Sequence, residues 1–307
     1  MRSEAQQRFH MVYSLCKAVR SPLTGKDRTD PMEAAFPEEA LAAAINANER
    51  EDGRSLRNVR RPNVEAGVVS RSHGSALARA GSASAIASAT LQRASSASPS
   101  LSVHCEPEPT QGNARGRAAR SASELDTRIR SALLHSSFIS ESELLANDDS
   151  PLLVTVNIQL LSADGSATTT ALAAACGALK DARAPRDELL QPQTSGNNGD
   201  TNMHASNEFK NDDELTRLPI HDESGFPKVL VVGVHGQGQL VLDPTASEQN
   251  LLNAVIEVVC KGDGSLVSTR AMCGPRALAD REVVSACSAA ASMPQSRFIG
   301  RSESSAP

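Results

Sequence analysis

Tryptophan is absent from this 307-residue chain, tyrosine occurs once and phenylalanine six times. A core without large aromatics must be built from Ala, Val, Leu and Ile, which bury less area each at about 25 cal/mol per Å². No apolar run reaches the length of a membrane span, and no leader-like hydrophobic segment is visible. A reducing nuclear or cytosolic setting, with no membrane partner, is the expectation. The six cysteines (Cys16, Cys105, Cys176, Cys260, Cys273 and Cys287) include no Cys-x-x-Cys pair and meet no His-x₃-His partner. That excludes zinc-ligand spacing, so neither a metal nor any other cofactor is expected. Cys176 and Cys260 lie in apolar runs and read as small buried hydrophobes. The net charge of −5 excludes a globally basic nucleic-acid module.

Arginine is nevertheless clustered. Arg54, Arg57, Arg60, Arg61 and Arg71 form one group, and Arg115, Arg117 and Arg120 another. Each reads either as solvated loop charge or as a contact for an RNA backbone. His73, His104, His135 and His235 are scattered, with no Ser-His-Asp or Cys-His context. The Gly-rich stretch from Gly233 to Gln239 opens a strand and not a helix, which makes it a hairpin turn rather than a phosphate loop. The acidic runs Asp148-Asp149 and Asp212 to Glu214 lack the spacing of a calcium loop.

Along the chain, Glu38 and Glu39 ahead of an Ala/Leu run predict a helix. Val64 to Val69 reads as a strand, His73-Gly74-Ser75 as a turn, Ala76 to Ala78 as a returning strand, and "SAIASATLQ" after Gly81 as a third. Residues 93–120, rich in Ser, Pro, Gly and Arg, read as a long loop. A helix capped at Ser121 or Ser123 follows, with Leu125, Ile129, Ala132 and Leu133 on one face. Leu152 to Ser162 reads as a strand, Ala163 to Ser166 as an acidic turn, and the small-residue run after it as a helix. The polar, Asn-rich segment 191–211 reads as a disordered insertion. Strands at Lys228–Val234 and Gln239–Leu242 flank a Gly-rich turn. A hairpin around Gly262-Asp263-Gly264 joins Ala254–Cys260 to Ser265–Thr269, and residues 277–292 read as a helix. The organisation expected is one α/β domain over 36–292, with tails at 1–35 and 293–307. Its core candidates are Val64, Val68, Leu77, Ile86, Leu153, Val154, Val156, Ile158, Leu172, Val229, Val231, Leu242, Leu251, Val255 and Val258.

Four short motifs occur in order: Asp52-Gly53-Arg54, the "GSAL…AG" hairpin, the Asp164-Gly165 turn before a small-residue helix, and "VLDPT" (Val241 to Thr245) with Glu248. In this order they resemble the RNase PH family of phosphorolytic exoribonucleases over about residues 50 to 292. Within it they are most similar to the RNase PH-like subunits of the eukaryotic RNA exosome ring. The resemblance implies an α+β domain of the ribosomal-protein S5 domain 2-like type, with β-α-β-α architecture. It implies other RNase PH-like subunits as partners, paired with this chain in a six-membered ring. It also implies S1/KH cap subunits, RNA passing through the ring, and residence in nucleus, nucleolus and cytoplasm.

Active members cleave the 3′ end of RNA with inorganic phosphate, which takes cations to hold phosphate and a carboxylate to assist the leaving oxygen. Asp164 stands at the position of that acid. The active pattern Asp-Gly-Gly-Thr-Arg is replaced by Asp164-Gly165-Ser166-Ala167-Thr168, however. The second acid is replaced by the neutral run Val156 to Gln159, and the arginine loop by a segment carrying Glu106 and Glu108. The expectation is a non-catalytic subunit, with Asp164 a remnant and Arg54, Arg57, Arg60, Arg61, Arg115, Arg117 and Arg120 as RNA or phosphate contacts. The alternatives are an active phosphate-dependent 3′-5′ exoribonuclease, for which Asp164 and Arg120 speak, and an unrelated α/β domain whose Asp-Gly turns are only turns.

Overall fold

Small residues decide how the first sheet is built. In the computed structural model, which describes residues 37–94, 98–106, 115–145, 150–185, 215–220, 226–236, 238–273 and 280–293, helix α1 (Pro37–Asn46) leads into a five-stranded sheet. Its strands are β1 (Asn63–Ala66), β2 (Gly74–Ala80), β3 (Ala83–Arg93), β4 (Ser100–Glu106) and β5 (Leu152–Ser162), in the order β1-β2-β3-β5-β4. All neighbours are antiparallel except β4 and β5. Alternation along β3 buries Ala83, Ala85, Ala87, Ala89 and Leu91, and β2 adds Ala76, Ala78 and Ala80 to the same core. β5 buries larger residues at the same period: Leu152, Val154, Val156, Ile158 and Leu160.

Helix α2 (Arg115–His135) packs on β4, and helix α3 (Ala167–Asp181) packs on β2 and β3 with ten buried residues, five of them alanines. Alanine against alanine lets helix and sheet approach closely. A Cβ at Gly74 would collide with the backbone of Ala178 and Ala182, and one at Gly177 would lie 2.6 Å from Val64 Cγ1 and 2.7 Å from Ala76 Cβ. The shortage of aromatics thus becomes a thin, closely packed layer.

After the short pair β6 (Arg183–Pro185) and β7 (Leu215–Arg217) comes a four-stranded sheet. It comprises β8 (Lys228–His235), β9 (Gln239–Leu242), β10 (Ala254–Cys260) and β11 (Leu266–Cys273), in the order β11-β10-β8-β9, all antiparallel. A single-turn helix α4 (Ala246–Gln249) lies between β9 and β10, and α5 (Asp280–Ser292) packs on β8 and β10. Every residue of β8 and β10 is buried, as expected of strands covered on both faces. One continuous core joins both sheets, and Phe138 meets Phe226 edge to face with ring centroids 5.7 Å apart. A smaller cluster of Ile45, Leu56 and Val241 fastens α1 and the following segment to β9.

Several expectations are corrected. Residues 100–106, expected within a long loop, form β4, because Leu101, Val103 and Cys105 point inward between polar residues. Helix α2 begins at Arg115 and not at Ser121 or Ser123. The first strand stops at Ala66, since Gly67 adopts φ 73°, and Gly74 and Ser75 belong to β2. Among the core candidates Val68 is 39% exposed. Val64, Leu77, Ile86, Leu153 and Leu251 are half-buried, because on β2 and β3 the alanines take the inner face. Cys105, Cys176 and Cys260 are buried thiols. The proposed insertion at 191–211 and both tails lie outside the described residues.

Candidate functional site

The Asp-Gly turn after β5 must be glycine at its second residue. Gly165 has φ 85°, and a Cβ there would strike the Pro244 carbonyl. This contact brings the turn against residues 243–246. Asp164 is thereby placed where three groups reach it. Arg60 Nη1 donates to Asp164 Oδ2 at 2.7 Å, Ser82 Oγ donates to the same oxygen at 2.6 Å, and the Ala246 amide donates to Oδ1 at 2.9 Å. Burial acts to raise its pKa, but the Ser82 hydroxyl, the Ala246 amide and the Arg60 charge outweigh it. The carboxyl is held below the ordinary carboxylate range.

Arg60 continues the network. Its Nε and Nη2 donate to Asp243 Oδ2 and Oδ1, both at 2.8 Å, and its own amide donates to Asp243 Oδ2 at 2.8 Å. Burial works against the Arg60 charge, yet Asp243 and Asp164 raise its pKa further. Arg54 Nη1 reaches Asp243 Oδ2 at 2.9 Å, and its Nε reaches Asp52 Oδ2 at 2.6 Å. Beneath them Arg50 and Glu248 form a wholly buried two-pronged pair at 2.8 and 2.6 Å, and Arg50 also donates to the Leu242 and Asp243 carbonyls. Glu248 closes a capping box with Thr245 at the start of α4. The quoted motifs Asp52-Gly53-Arg54, Asp164-Gly165 and Leu242-Asp243-Pro244-Thr245 are therefore one constellation in space.

On the other side of the turn lies a cleft of about 180 Å³. It is walled by the end of β4 (Cys105, Glu106), α2 (Leu125, Arg128), the start of α3 (Ser166 to Thr168) and the second sheet (Val255, Glu257, Met272). Arg128 Nη1 lies 3.3 Å from Glu257 Oε2 and 3.3 Å from Thr168 Oγ1, while Thr168 Oγ1 donates to Glu257 Oε2 at 2.8 Å. Burial, reinforced by Asp126, pushes the Cys105 thiol far above its usual range, so it is no nucleophile.

Of the expected contact residues, Arg54 and Arg60 turn inward into the carboxylate network, whereas Arg57 and Arg61 are exposed. Arg115, Arg117 and Arg120 share the first two turns of α2, and their side chains lie outside the described residues. Sequence reasoning passed over Arg50, Arg128 and Glu257. The signal for Glu257 was present, as a lone acid inside the apolar strand "AVIEVVC". Among the described residues no cluster of His, Cys, Asp or Glu could hold a metal ion.

Two sheets sharing a small-residue helix, with an Asp-Gly turn leading from the interior strand β5 into that helix, define an S5 domain 2-like α/β domain. Residues 58–185 match the RNase PH model, the 3′ exoribonuclease family, domain 1. The chain carries a fold of the RNase PH type. It is 30% identical over 177 residues to the Exosome complex component Rrp42 of Methanopyrus kandleri, a match covering 55% of this chain and 66% of that protein, just under two thirds of its length. The fold is similar to that of an archaeal exosome core (TM-score 0.65, 17% identity, 85% of this chain and 95% of that one). It is similar also to an Archaeoglobus fulgidus exosome with RNA bound to the active site (TM-score 0.64, 18% identity, 85% and 95%). Rice (Oryza sativa) Rrp46 aligns with a TM-score of 0.53 at 17% identity, over 78% of this chain and 92% of that one.

Proposed function

We propose that this chain is a non-catalytic RNase PH-like subunit of an exosome-type ring, supporting 3′-5′ RNA processing and decay by scaffolding and by lining the RNA path. The observation that carries the catalytic part is the state of Asp164. Its carboxylate accepts from Arg60, Ser82 and the Ala246 amide, and an acid so engaged is a poor proton carrier. Among the described residues, the one cation lining the neighbouring cleft, Arg128, faces Glu257. Other RNase PH-like subunits as ring neighbours, S1/KH cap subunits above them, and work on ribosomal and messenger RNA in nucleus, nucleolus and cytoplasm complete the reading. The names of the archaeal relative and of the aligned exosome structures support it.

The test is a phosphorolysis assay on the purified chain with oligoadenylate and inorganic phosphate. No nucleoside diphosphate is expected. Release of diphosphates that is abolished by Asp164→Asn, in a variant shown by melting to be folded, would overturn the reading.

A further inference from the structure

We propose that Glu257 is the cleft's built-in anion. Its carboxylate holds the place between Arg128 and Thr168 that an external phosphate or phosphodiester would need, so a residue of the chain itself closes the cleft to phosphate. The inference deepens the reading of a silent site, and it concerns the chemistry of the cleft alone.

Glu257 is the middle residue of β10, flanked by Val255, Ile256, Val258 and Val259, and is only 5% exposed. A charge in such surroundings persists only when it is paired and hydrogen-bonded. Two groups do this: the Thr168 hydroxyl at 2.8 Å and the Arg128 guanidinium at 3.3 Å. Arg128 belongs to α2 and Thr168 to the first turn of α3, so one carboxylate from the second sheet ties together two helices that rest on the first.

Both partners are also anion ligands in their own right, a guanidinium and a hydroxyl converging on one point at the wall of an open cleft. Arg128 keeps a quarter of its side chain exposed, so the site can be reached from outside. At about 180 Å³ the cleft has room for a small tetrahedral anion, and size does not exclude one. Charge does. Among the described residues the ionisable lining is Arg128, Glu257, Glu106 and the buried thiol of Cys105, so there two carboxylates meet a single cation, and the better placed of the two is already bound to it. Replacing Glu257 by a neutral isostere leaves the Arg128 charge facing the cleft, where Glu106 is the remaining carboxylate among the described lining residues.

Isothermal titration of the full chain with inorganic phosphate, at neutral pH and low chloride, tests this. The unaltered chain is expected to give no saturable binding at millimolar phosphate. Glu257→Gln should bind at least about tenfold more tightly, in keeping with the strength of a charge-assisted contact. Adding Arg128→Gln to that variant should remove the gain. Glu106→Gln alone should leave binding where it was, because Glu257 still occupies the position. Glu257→Thr, which keeps a small polar side chain suited to a strand, is expected to repeat the gain and serves if the Gln variant does not fold. A chain that binds phosphate equally well with and without Glu257 would overturn the proposal. An equal gain from Glu106→Gln would overturn it too, since bulk charge would then account for the effect. Because the readout is phosphate binding and not RNA decay, this outcome is separable from that of the phosphorolysis assay.

Discussion

At the scale of single residues, Asp164 shows how many segments one turn carboxylate can hold together. Its carboxylate joins the turn after β5 to the segment around Arg60, to the β2–β3 turn at Ser82 and to the start of α4. Asp164→Asn should therefore destabilise the fold by about 1–3 kcal/mol at neutral pH, since Arg60 and the Ala246 amide lose a charged acceptor. The pH dependence has a definite sign. A carboxyl whose pKa is depressed by folding contributes fully above its unfolded value, about 3.9 for Asp, and the contribution is lost as pH falls through the folded value. Urea melts of the two proteins should differ at pH 7 and converge in strong acid, while a gap that widened in acid would contradict this assignment. The turn itself was legible in the sequence, because Asp-Gly between an apolar strand and an Ala-rich helix has few other readings. Its partners were not. Arg60 and Asp164 stand 104 positions apart, and no local pattern pairs a loop arginine with one acid among many.

Strands and helices were legible wherever apolar residues marked the period. β5, β8 and β10 follow from their Val, Leu and Ile content. β4 was hidden because serines and a histidine dilute its three inward residues, and the onset of α2 because its first turn carries no apolar stripe. The inward face of β2 and β3 could not be assigned by size, since there alanine is inside and Leu77 and Ile86 pair on the other side. The α3–β2 contact explains that inversion and gives a test. Gly74→Ala places a methyl group against the backbone of Ala178 and Ala182, which cannot rotate away, so a loss of about 3 kcal/mol is expected. Gly236→Ala meets nothing within 4 Å, and only its φ of 54° opposes it, at a cost of about 1–2 kcal/mol. Denaturant midpoints of the two variants should rank in that order.

For the whole molecule, the fully buried Arg50–Glu248 pair ties the early segment to the region of the second sheet. Arg50→Ala should cost about 3–5 kcal/mol by stranding a buried carboxylate. The double variant with Glu248→Ala should cost less than the sum of the two, as a double-mutant cycle would show. Elsewhere the surface looks unfinished. The edge strand β11 exposes Leu266 and Met272, and Leu161 and Val284 are exposed as well. The chain expressed alone should accordingly be poorly soluble or marginally stable. Co-expression with another RNase PH-like subunit should yield a soluble heterodimer, seen as a single species of doubled mass in gel filtration with light scattering. A cooperatively melting monomer indifferent to every such subunit would count against ring membership.

The same buried pair also sets a clock. Arg50 and Glu248 lie 198 positions apart, and Arg54 and Arg60 meet Asp243 across 189 and 183. At synthesis rates of about 5–20 residues per second, roughly 10–40 s pass between the emergence of the arginines and that of their carboxylates. Through that interval Arg50 waits for its carboxylate, whereas Arg54 already has Asp52 beside it and Arg60 can meet Asp164 after 104 positions. The tie that fastens the early segment to the second sheet is therefore among the last contacts the chain can make.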